Sequence, residues 1–182
     1  MKDAKWFSNQ VILVTGASGG LGAQIALELA RRDVQLILVA RNESKLEQVA
    51  AECKSFTSKP VDIYSCDLTD DASVQDLLST LDEKYKISMV INNAGLGYLK
   101  YAKDLSESEI NQMLQLNLNT LIKITQHFVP RFIEDKGGVI VNIASQAGKS
   151  ATVKSSVYSA TKFGVLGYSN ALRLELKPYG IH

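Results

Sequence analysis

A tyrosine and a lysine four residues apart are the first candidates for chemistry in this sequence. Tyr158 and Lys162 lie in a stretch that predicts a long helix over residues 156–177, where positions four apart share one face. A tyrosine with its ordinary pKa of ~10 is a poor acid–base catalyst at neutral pH unless a nearby cation stabilises the phenolate. With Lys162 as that cation, Tyr158 could exchange a proton with a substrate oxygen. A Tyr-x-x-x-Lys pattern also occurs by chance, and taken alone it is more often structural.

Two further polar residues could complete such a site. Ser145 follows a predicted strand over residues 139–144, and its hydroxyl could hold a substrate carbonyl. Asn117 shares the phase of the apolar residues in a predicted helix that extends to about residue 133. Its side chain therefore points inward, where a buried amide needs hydrogen-bond partners. Taken alone, Ser145 could instead be an ordinary surface serine, and Asn117 could be a core asparagine with a purely structural role.

A glycine-rich turn follows the first predicted strand. Residues 11–14 are all apolar, which predicts a buried strand, and residues 15–22 read Thr-Gly-Ala-Ser-Gly-Gly-Leu-Gly. After this turn Leu21, Ile25 and Leu29 fall four apart, with Gly22 and Ala26 beside them, which predicts one apolar face of a helix. Since the first turn of a helix presents unpaired N–H groups and a positive dipole end, the glycine turn could bind a phosphate. The alternative is that the glycines only let the helix and the strand pack closely.

The rest of the chain alternates strand and helix patterns. Further strands are predicted over residues 34–40, 61–66 and 88–92. Helices are predicted over residues 44–55, after an N-cap at Thr69, and from a capping box at Ser106 and Glu109 through Pro130, which could kink the helix. The alternation predicts one α/β domain over residues 1–182, with a doubly wound, Rossmann-like parallel sheet and a ligand site beyond the carboxyl ends of its strands. Because the pattern calls for another strand where the sequence stops, we expect the domain to lack its last strands.

Composition excludes several classes of function. The 182 residues are 46% hydrophobic and 21% charged, with a net charge of +1, so no strong field would attract nucleic acid or an anionic membrane. The sequence shows neither a secretory signal nor a membrane span, which predicts a cytoplasmic protein. Cys53 and Cys66 are interpreted as buried thiols in a reduced compartment. His127 has no ligand-type neighbours at useful spacing, so no metal site is predicted.

Taken together, the motifs resemble those of the short-chain dehydrogenases/reductases of the single-domain type, along the chain from its first strand. The matching segments are Thr-Gly-x-x-x-Gly-x-Gly at residues 15–22, Asn-Asn-Ala-Gly at residues 92–95, Asn117, Ser145, and Tyr-Ser-Ala-Thr-Lys at residues 158–162. Members of this family continue past the position of Ile181 through another strand and a substrate lid. The resemblance therefore implies a chain that is C-terminally incomplete.

The same resemblance implies a role for each site residue. Tyr158 would be the catalytic acid/base and would also contact the cofactor, and Lys162 would lower the pKa of Tyr158 and bind the nicotinamide ribose. Ser145 would position the carbonyl, and Asn117 would hold a water of the proton relay. The cofactor would also contact a further set of residues, namely Gly16, Ser18, Gly20, Leu21, Gly22, Leu68, Asn93, Ala94 and Gly95.

The end of the second predicted strand bears on which nicotinamide cofactor is bound. An acidic residue is expected there when the adenosine ribose carries a free 2′-hydroxyl, but the sequence has Arg41. A guanidinium could bind a 2′-phosphate through two parallel hydrogen bonds, so NADP(H) is predicted over NAD(H). Many relatives that prefer NADP(H) also have a basic residue where this chain has Gly19, which departs from that pattern. Asp67 is predicted to face the adenine edge, or else to begin a turn.

The predicted activity is hydride transfer between NADP(H) and a small carbonyl or alcohol. Residues 95–101 and 146–153 are predicted to flank the pocket that binds this substrate. A non-catalytic nucleotide-binding regulatory or scaffold protein is the alternative, and a related epimerase or dehydratase is a third hypothesis. Small residues at 160, 164, 167 and 171 could let the last helix pack against a second copy, which predicts a homodimer or homotetramer. They could instead only clear space for the protein's own sheet.

Overall fold

The apolar run at the start of the chain forms the central strand of a parallel sheet. β1 (Val11–Thr15) buries Ile12, Leu13 and Val14 almost completely. It pairs in parallel with β2 (Gln35–Ala40) on one side and with β4 (Met89–Asn92) on the other. In the described residues, β3 (Val61–Ser65) and β5 (Val139–Asn142) complete a five-stranded sheet in the order β3-β2-β1-β4-β5. The predicted Rossmann-like parallel sheet is thereby confirmed.

The computed structural model describes residue 7 and residues 10–182. These residues form two compact units. The first unit is drawn from Met1–Ala94 with Val139–Val141, and the second from Gly95–Gly138 with Asn142–His182. The assignment of residues 1–182 to one domain stays a prediction.

Three helices of the first unit flank the sheet: α1 (Gly20–Ala30), α2 (Glu43–Lys54) and α3 (Asp71–Lys84). The predicted apolar face of α1 is confirmed for Gly22 and Ala26 but wrong for Leu21, which is 56% exposed, and Ile25 and Leu29 are only half-buried. The buried residues of α1 are Gly22, Ala23, Ala26, Leu27 and Ala30. Small residues let α1 approach the strand more closely than a leucine stripe would allow.

The N-caps of α2 and α3 are side chains that accept a backbone N–H. Asn42 Oδ1 accepts from Lys45 N at 3.0 Å at the start of α2. The predicted cap of α3 is one residue off, since Asp70 rather than Thr69 accepts from Ser73 N, at 2.8 Å. Aspartate is among the strongest N-cap residues, and Thr69 donates to Asp67 instead.

The helices of the second unit are α4 (Glu107–Leu114), α5 (Thr120–Glu134) and α6 (Ser156–Leu176). The predicted capping box is present, because Ser106 accepts from Glu109 N and the Glu109 carboxylate accepts from Ser106 N. The predicted single long helix is interrupted by a π-helical turn, Gln115–Asn119, between α4 and α5. Helix α5 continues through Pro130.

Short elements join these helices. 3₁₀ turns occupy Ala102–Asp104, Gln146–Gly148 and Lys177–Tyr179. After the last of them, Ile181 forms an isolated parallel bridge with Gly138. Among the residues that the structure describes, no helix has the length and apolarity to cross a membrane. Nor do the described residues contain a group of three or more His, Cys, Asp or Glu side chains that could hold a metal ion.

Candidate active site

The glycine turn of the first unit has two kinds of glycine. Gly16 and Gly20 adopt positive φ angles of 67° and 55°, a conformation that favours glycine. A Cβ at Gly22 would collide with the carbonyl oxygen of Gly16 and lie 2.5 Å from the Asn93 amide nitrogen. At Gly19 and Gly20, in contrast, a Cβ would meet nothing within 4 Å. Close packing therefore explains Gly22, while the open side of the turn leaves room for a ligand.

The N-terminus of α1 supplies donors at this open side. Its N-cap is Gly19, which has no side chain to accept the first N–H groups of the helix. These N–H groups and the positive end of the helix dipole suit a phosphate. Ser18 is half-buried beside them, and Leu21 is exposed. The residues present thus fit the phosphate portion of a dinucleotide.

Thr15 and Asn93 join the glycine turn to the end of β4. The Thr15 hydroxyl donates to the Ile91 carbonyl at 3.4 Å and accepts from the N–H groups of Asn93 and Ala94, each at 3.1 Å. The Asn93 amide in turn donates to the carbonyls of Thr15 at 3.0 Å and of Gly16 at 3.1 Å. The Asn93 side chain is therefore engaged in holding the turn. Sequence reasoning quoted Thr15 in the motif but gave it no role.

Arg41, Asp67 and Leu68 follow the ends of β2 and β3. Arg41 is exposed, and its positive charge is one cause that lowers the pKa of Asp67. The larger causes are the hydrogen bonds from the backbone N–H and hydroxyl of Thr69, at 2.9 and 2.7 Å. Asp67 therefore begins a turn, and its place at the adenine edge of a cofactor stays a prediction. Leu68 is buried.

Tyr158 and Lys162 lie near each other in the second unit. The Lys162 ammonium is 5.9 Å from the centroid of the Tyr158 ring and donates to the Ile143 carbonyl at 2.9 Å. Lys162 is only 4% exposed, and burial lowers its pKa because the charged form loses hydration. The lysine thus brings a poorly hydrated cation close to a phenol.

Asn117 lies in the π-helical turn and is completely buried, facing inward as its phase indicates. Its Oδ1 accepts from Leu96 N at 2.8 Å, and its Nδ2 donates to the Leu96 carbonyl at 2.8 Å and to the Thr161 hydroxyl at 3.2 Å. Both amide hydrogens are therefore used within the protein. Interruptions of this kind in α-helices are frequent at functional sites.

The segment after β4 packs between these residues. A Cβ at Gly95 would lie 3.2 Å from Asn117 Oδ1 and 3.6 Å from Lys162 Nζ. A Cβ at Gly97 would lie 3.1 Å from the Tyr158 ring. Residues 95–97 therefore border both members of the acid–base pair. Gly97 belongs to the segment predicted to flank the pocket, but its contact with Tyr158 could not be predicted, because it joins positions far apart in the chain.

Ser145 is the N-cap of the 3₁₀ turn Gln146–Gly148. Its hydroxyl oxygen accepts from Ala147 N at 3.1 Å, so its hydrogen remains available to donate elsewhere. This turn lies directly on α6, since a Cβ at Gly148 would come within 2.6 Å of the Lys162 carbonyl oxygen. Ser145 is thereby carried by a turn that is packed against the helix of Tyr158 and Lys162.

The loops expected to flank a substrate also meet in the second unit. The Lys154 ammonium lies 4.9 Å from the Tyr101 ring centroid, which links the segments after β4 and β5. Leu99 and Val153 are exposed apolar side chains of these segments. The second unit thus contains Gly95, Asn117, Ser145, Tyr158 and Lys162, and the first unit contains the other predicted site residues.

Comparison with known proteins agrees with these features. A family model described as short chain dehydrogenase matches residues 10–182. The "11-beta-hydroxysteroid dehydrogenase-like 4A" of Arabidopsis thaliana is 31% identical over 179 residues, which cover 97% of this chain and 60% of the plant protein. The chain therefore spans about three fifths of the length of that relative.

Two solved structures with different cofactors are similar to this chain. A short-chain dehydrogenase from Sphingobium yanoikuyae in complex with NADPH has a TM-score of 0.90 and 36% identity, covering 94% of this chain and 68% of that one. An NAD⁺-bound xylitol dehydrogenase has a TM-score of 0.87 and 28% identity, covering 95% and 67%. The structural similarity thus extends to proteins with either cofactor.

Proposed function

This chain belongs to the short chain dehydrogenase family of NAD(P)-dependent oxidoreductases, and from that premise we propose that it transfers a hydride between NADP(H) and a small carbonyl or alcohol. The observation that carries the proposal is the buried Lys162 ammonium beside the Tyr158 ring. A nucleotide-binding module without turnover would have no use for an acid–base pair.

Tyr158 is the proposed acid and base. When bound, the reduced cofactor supplies the hydride for the carbonyl carbon. Tyr158 donates its phenolic proton to the carbonyl oxygen, so the product is an alcohol and the tyrosine becomes a phenolate. The Lys162 cation favours that phenolate. In the oxidising direction the phenolate takes the hydroxyl proton back.

Ser145 and Asn117 have supporting roles in this proposal. The Ser145 hydroxyl donates to the substrate carbonyl and orients it, which its hydrogen-bonded N-cap geometry permits. Asn117 has committed both amide hydrogens to Leu96 and Thr161. A relay water would therefore be bound by the second lone pair of its Oδ1 or by its main-chain carbonyl.

Substitution of the proposed acid tests the mechanism. Tyr158→Phe should lower kcat for carbonyl-dependent NADPH oxidation by about 10²–10⁴-fold, the usual contribution of a positioned acid, with little change in NADPH affinity. Tyr179→Phe, at an exposed tyrosine after α6, is the matched control and should behave as wild type. Equal turnover by wild type and Tyr158→Phe would refute the assignment.

Arg41 is proposed to select NADP(H) by binding its 2′-phosphate. A hydrogen bond to a charged group contributes roughly 1.5–3 kcal/mol. Arg41→Ala should therefore raise the Kd for NADPH by about 10–100-fold and leave the Kd for NADH nearly unchanged. Calorimetric titration of wild type, Arg41→Ala and the exposed-arginine control Arg173→Ala measures this. Tighter binding of NADH than of NADPH by wild type would overturn the preference.

Self-association through the long helices is also part of the proposal. Ala160, Gly167 and Ala171 are exposed on α6, together with the larger Phe163 at 47% and Leu174 at 65% exposure. These residues recur at three- and four-residue spacing and so share one face of the helix. An exposed apolar face with small residues at its centre suits a second copy of the helix related by two-fold symmetry, in a homodimer or homotetramer.

A further inference from the structure

A chain of hydrogen bonds in the second unit connects residue 96 to α6. It runs from the backbone of Leu96 to the Asn117 amide, from that amide to the Thr161 hydroxyl at 3.2 Å, and from the hydroxyl to the Tyr158 carbonyl at 2.7 Å. Asn117 and Thr161 are both completely buried. An unpaired polar group at this depth would be costly, so each bond restricts its neighbours.

The Thr161 hydroxyl fixes which way the Asn117 amide faces. The Tyr158 carbonyl can only accept, so the hydroxyl hydrogen is used there, and the hydroxyl oxygen can only accept from Asn117. The nitrogen of the amide must therefore face Thr161. With that nitrogen also donating to the Leu96 carbonyl, Oδ1 is left to accept the Leu96 N–H, as observed.

The Leu96 backbone connects the oriented Asn117 amide to the residues that contact Tyr158 and Lys162. Its neighbours Gly95 and Gly97 border Lys162 Nζ and the Tyr158 ring, respectively. We propose that Thr161 is a positioning residue, whose hydroxyl locks the Asn117 amide and thereby holds residues 95–97 against Tyr158 and Lys162. The consequence for turnover rests on the function proposed above, whereas the positioning itself does not.

Two substitutions separate the hydroxyl from the shape of the side chain. Thr161→Val keeps the shape and removes the acceptor, while Thr161→Ser keeps the hydroxyl. Thr125→Val is the matched control, because Thr125 is also completely buried in the second unit and its hydroxyl donates to the Leu121 carbonyl at 2.8 Å. If Thr161→Val does not fold, Thr161→Ala also removes the hydroxyl and leaves more room around the side chain.

The direct readout is amide hydrogen exchange at Leu96, measured by NMR on the full chain. Thr161→Val should speed exchange of the Leu96 N–H by at least about tenfold, because its acceptor is no longer held in place. Thr161→Ser and Thr125→Val should stay within about threefold of wild type. Unchanged exchange in both Thr161→Val and Thr161→Ala, or an equal increase in Thr125→Val, would overturn the proposal.

The kinetic readout connects this segment to catalysis. Thr161→Val should lower kcat by about tenfold and raise the pH at which kcat is half-maximal. The Kd of this variant for NADPH should stay within about twofold of wild type. Thr161→Ser should show the wild-type kcat and pH profile. If Thr161→Val exchanges the Leu96 N–H faster but keeps the wild-type kcat and pH profile, the proposed effect of Thr161 on turnover is wrong. If wild type reduces no carbonyl while the exchange pattern holds, the proposed function fails and the positioning role stands.

Discussion

The burial of Lys162 should cost stability. Its pKa is lowered from the ordinary value of 10.5 by burial, so between the lowered pKa and 10.5 the unfolded chain binds more protons than the folded chain. Folding is therefore penalised at neutral pH, and the penalty disappears as the pH rises toward 10.5. Such a cost is typical of residues kept for function rather than for packing.

Replacement of this lysine by an apolar residue should stabilise the protein. Lys162→Met should raise the Tm at pH 7 by about 2–4 °C, the shift that ~1 kcal/mol produces in a chain of this size, and abolish turnover. The free-energy difference from wild type should shrink between pH 7 and pH 10, as measured by urea unfolding. Lys177→Met, at an exposed lysine, is the control. A difference that does not depend on pH would contradict the explanation by burial of charge.

Individual residues of the candidate site differ in how far the sequence could predict them. Asn117 was predicted to point inward from its phase alone, and the structure buries it completely. The roles of Thr15 and Thr161 could not be predicted in this way. Apart from the Tyr158 carbonyl, which Thr161 contacts within its own helix, their hydrogen-bond partners cited here lie 44 to 79 positions away in the chain, and only the folded arrangement brings them together.

At the scale of elements, the start of α1 combines close packing with an open ligand side. Gly22→Ala should lower the free energy of unfolding by about 1–3 kcal/mol, because its new Cβ would force the turn away from Gly16 and Asn93. Gly19→Ala is the matched control, since a Cβ there meets nothing within 4 Å, and it should leave stability within about 0.5 kcal/mol of wild type. Urea unfolding of both variants measures the difference. Equal stability of Gly22→Ala and wild type would show that the turn can relax without cost.

The spacing of apolar residues predicted approximately where most helices and strands begin and end. It did not predict local irregularities within them. The π-helical turn Gln115–Asn119 inserts one wider turn without breaking the apolar stripe, so the sequence reads as one continuous helix. The face of α1 was only partly predicted, because apolar residues occur around much of this helix. Its orientation was decided by how closely the small residues could approach the sheet.

At the scale of the whole molecule, alternation of strands and helices was sufficient to predict the parallel sheet. The strand order reverses around β1, as expected for a Rossmann-like sheet whose ligands bind near that reversal. Alternation alone says nothing about which exposed surfaces contact other molecules. The face of α6 that carries Phe163, Gly167 and Leu174 is exposed in this chain, and its contact with a second copy is the proposal.

Gly167 allows the proposed self-association to be tested without disturbing the fold. A Cβ at this position would meet nothing within 4 Å, so the protein's own packing should accept Gly167→Arg, whereas a second helix packed on the same face would not. Light scattering should find a dimer or tetramer for wild type and a monomer for Gly167→Arg, whose far-ultraviolet circular dichroism spectrum should match that of wild type. Gly137→Arg, which places the same charge in the loop after α5, should leave the assembly intact. A monomeric wild type at working concentration would remove the proposal, and an unchanged assembly in Gly167→Arg would place the contact elsewhere.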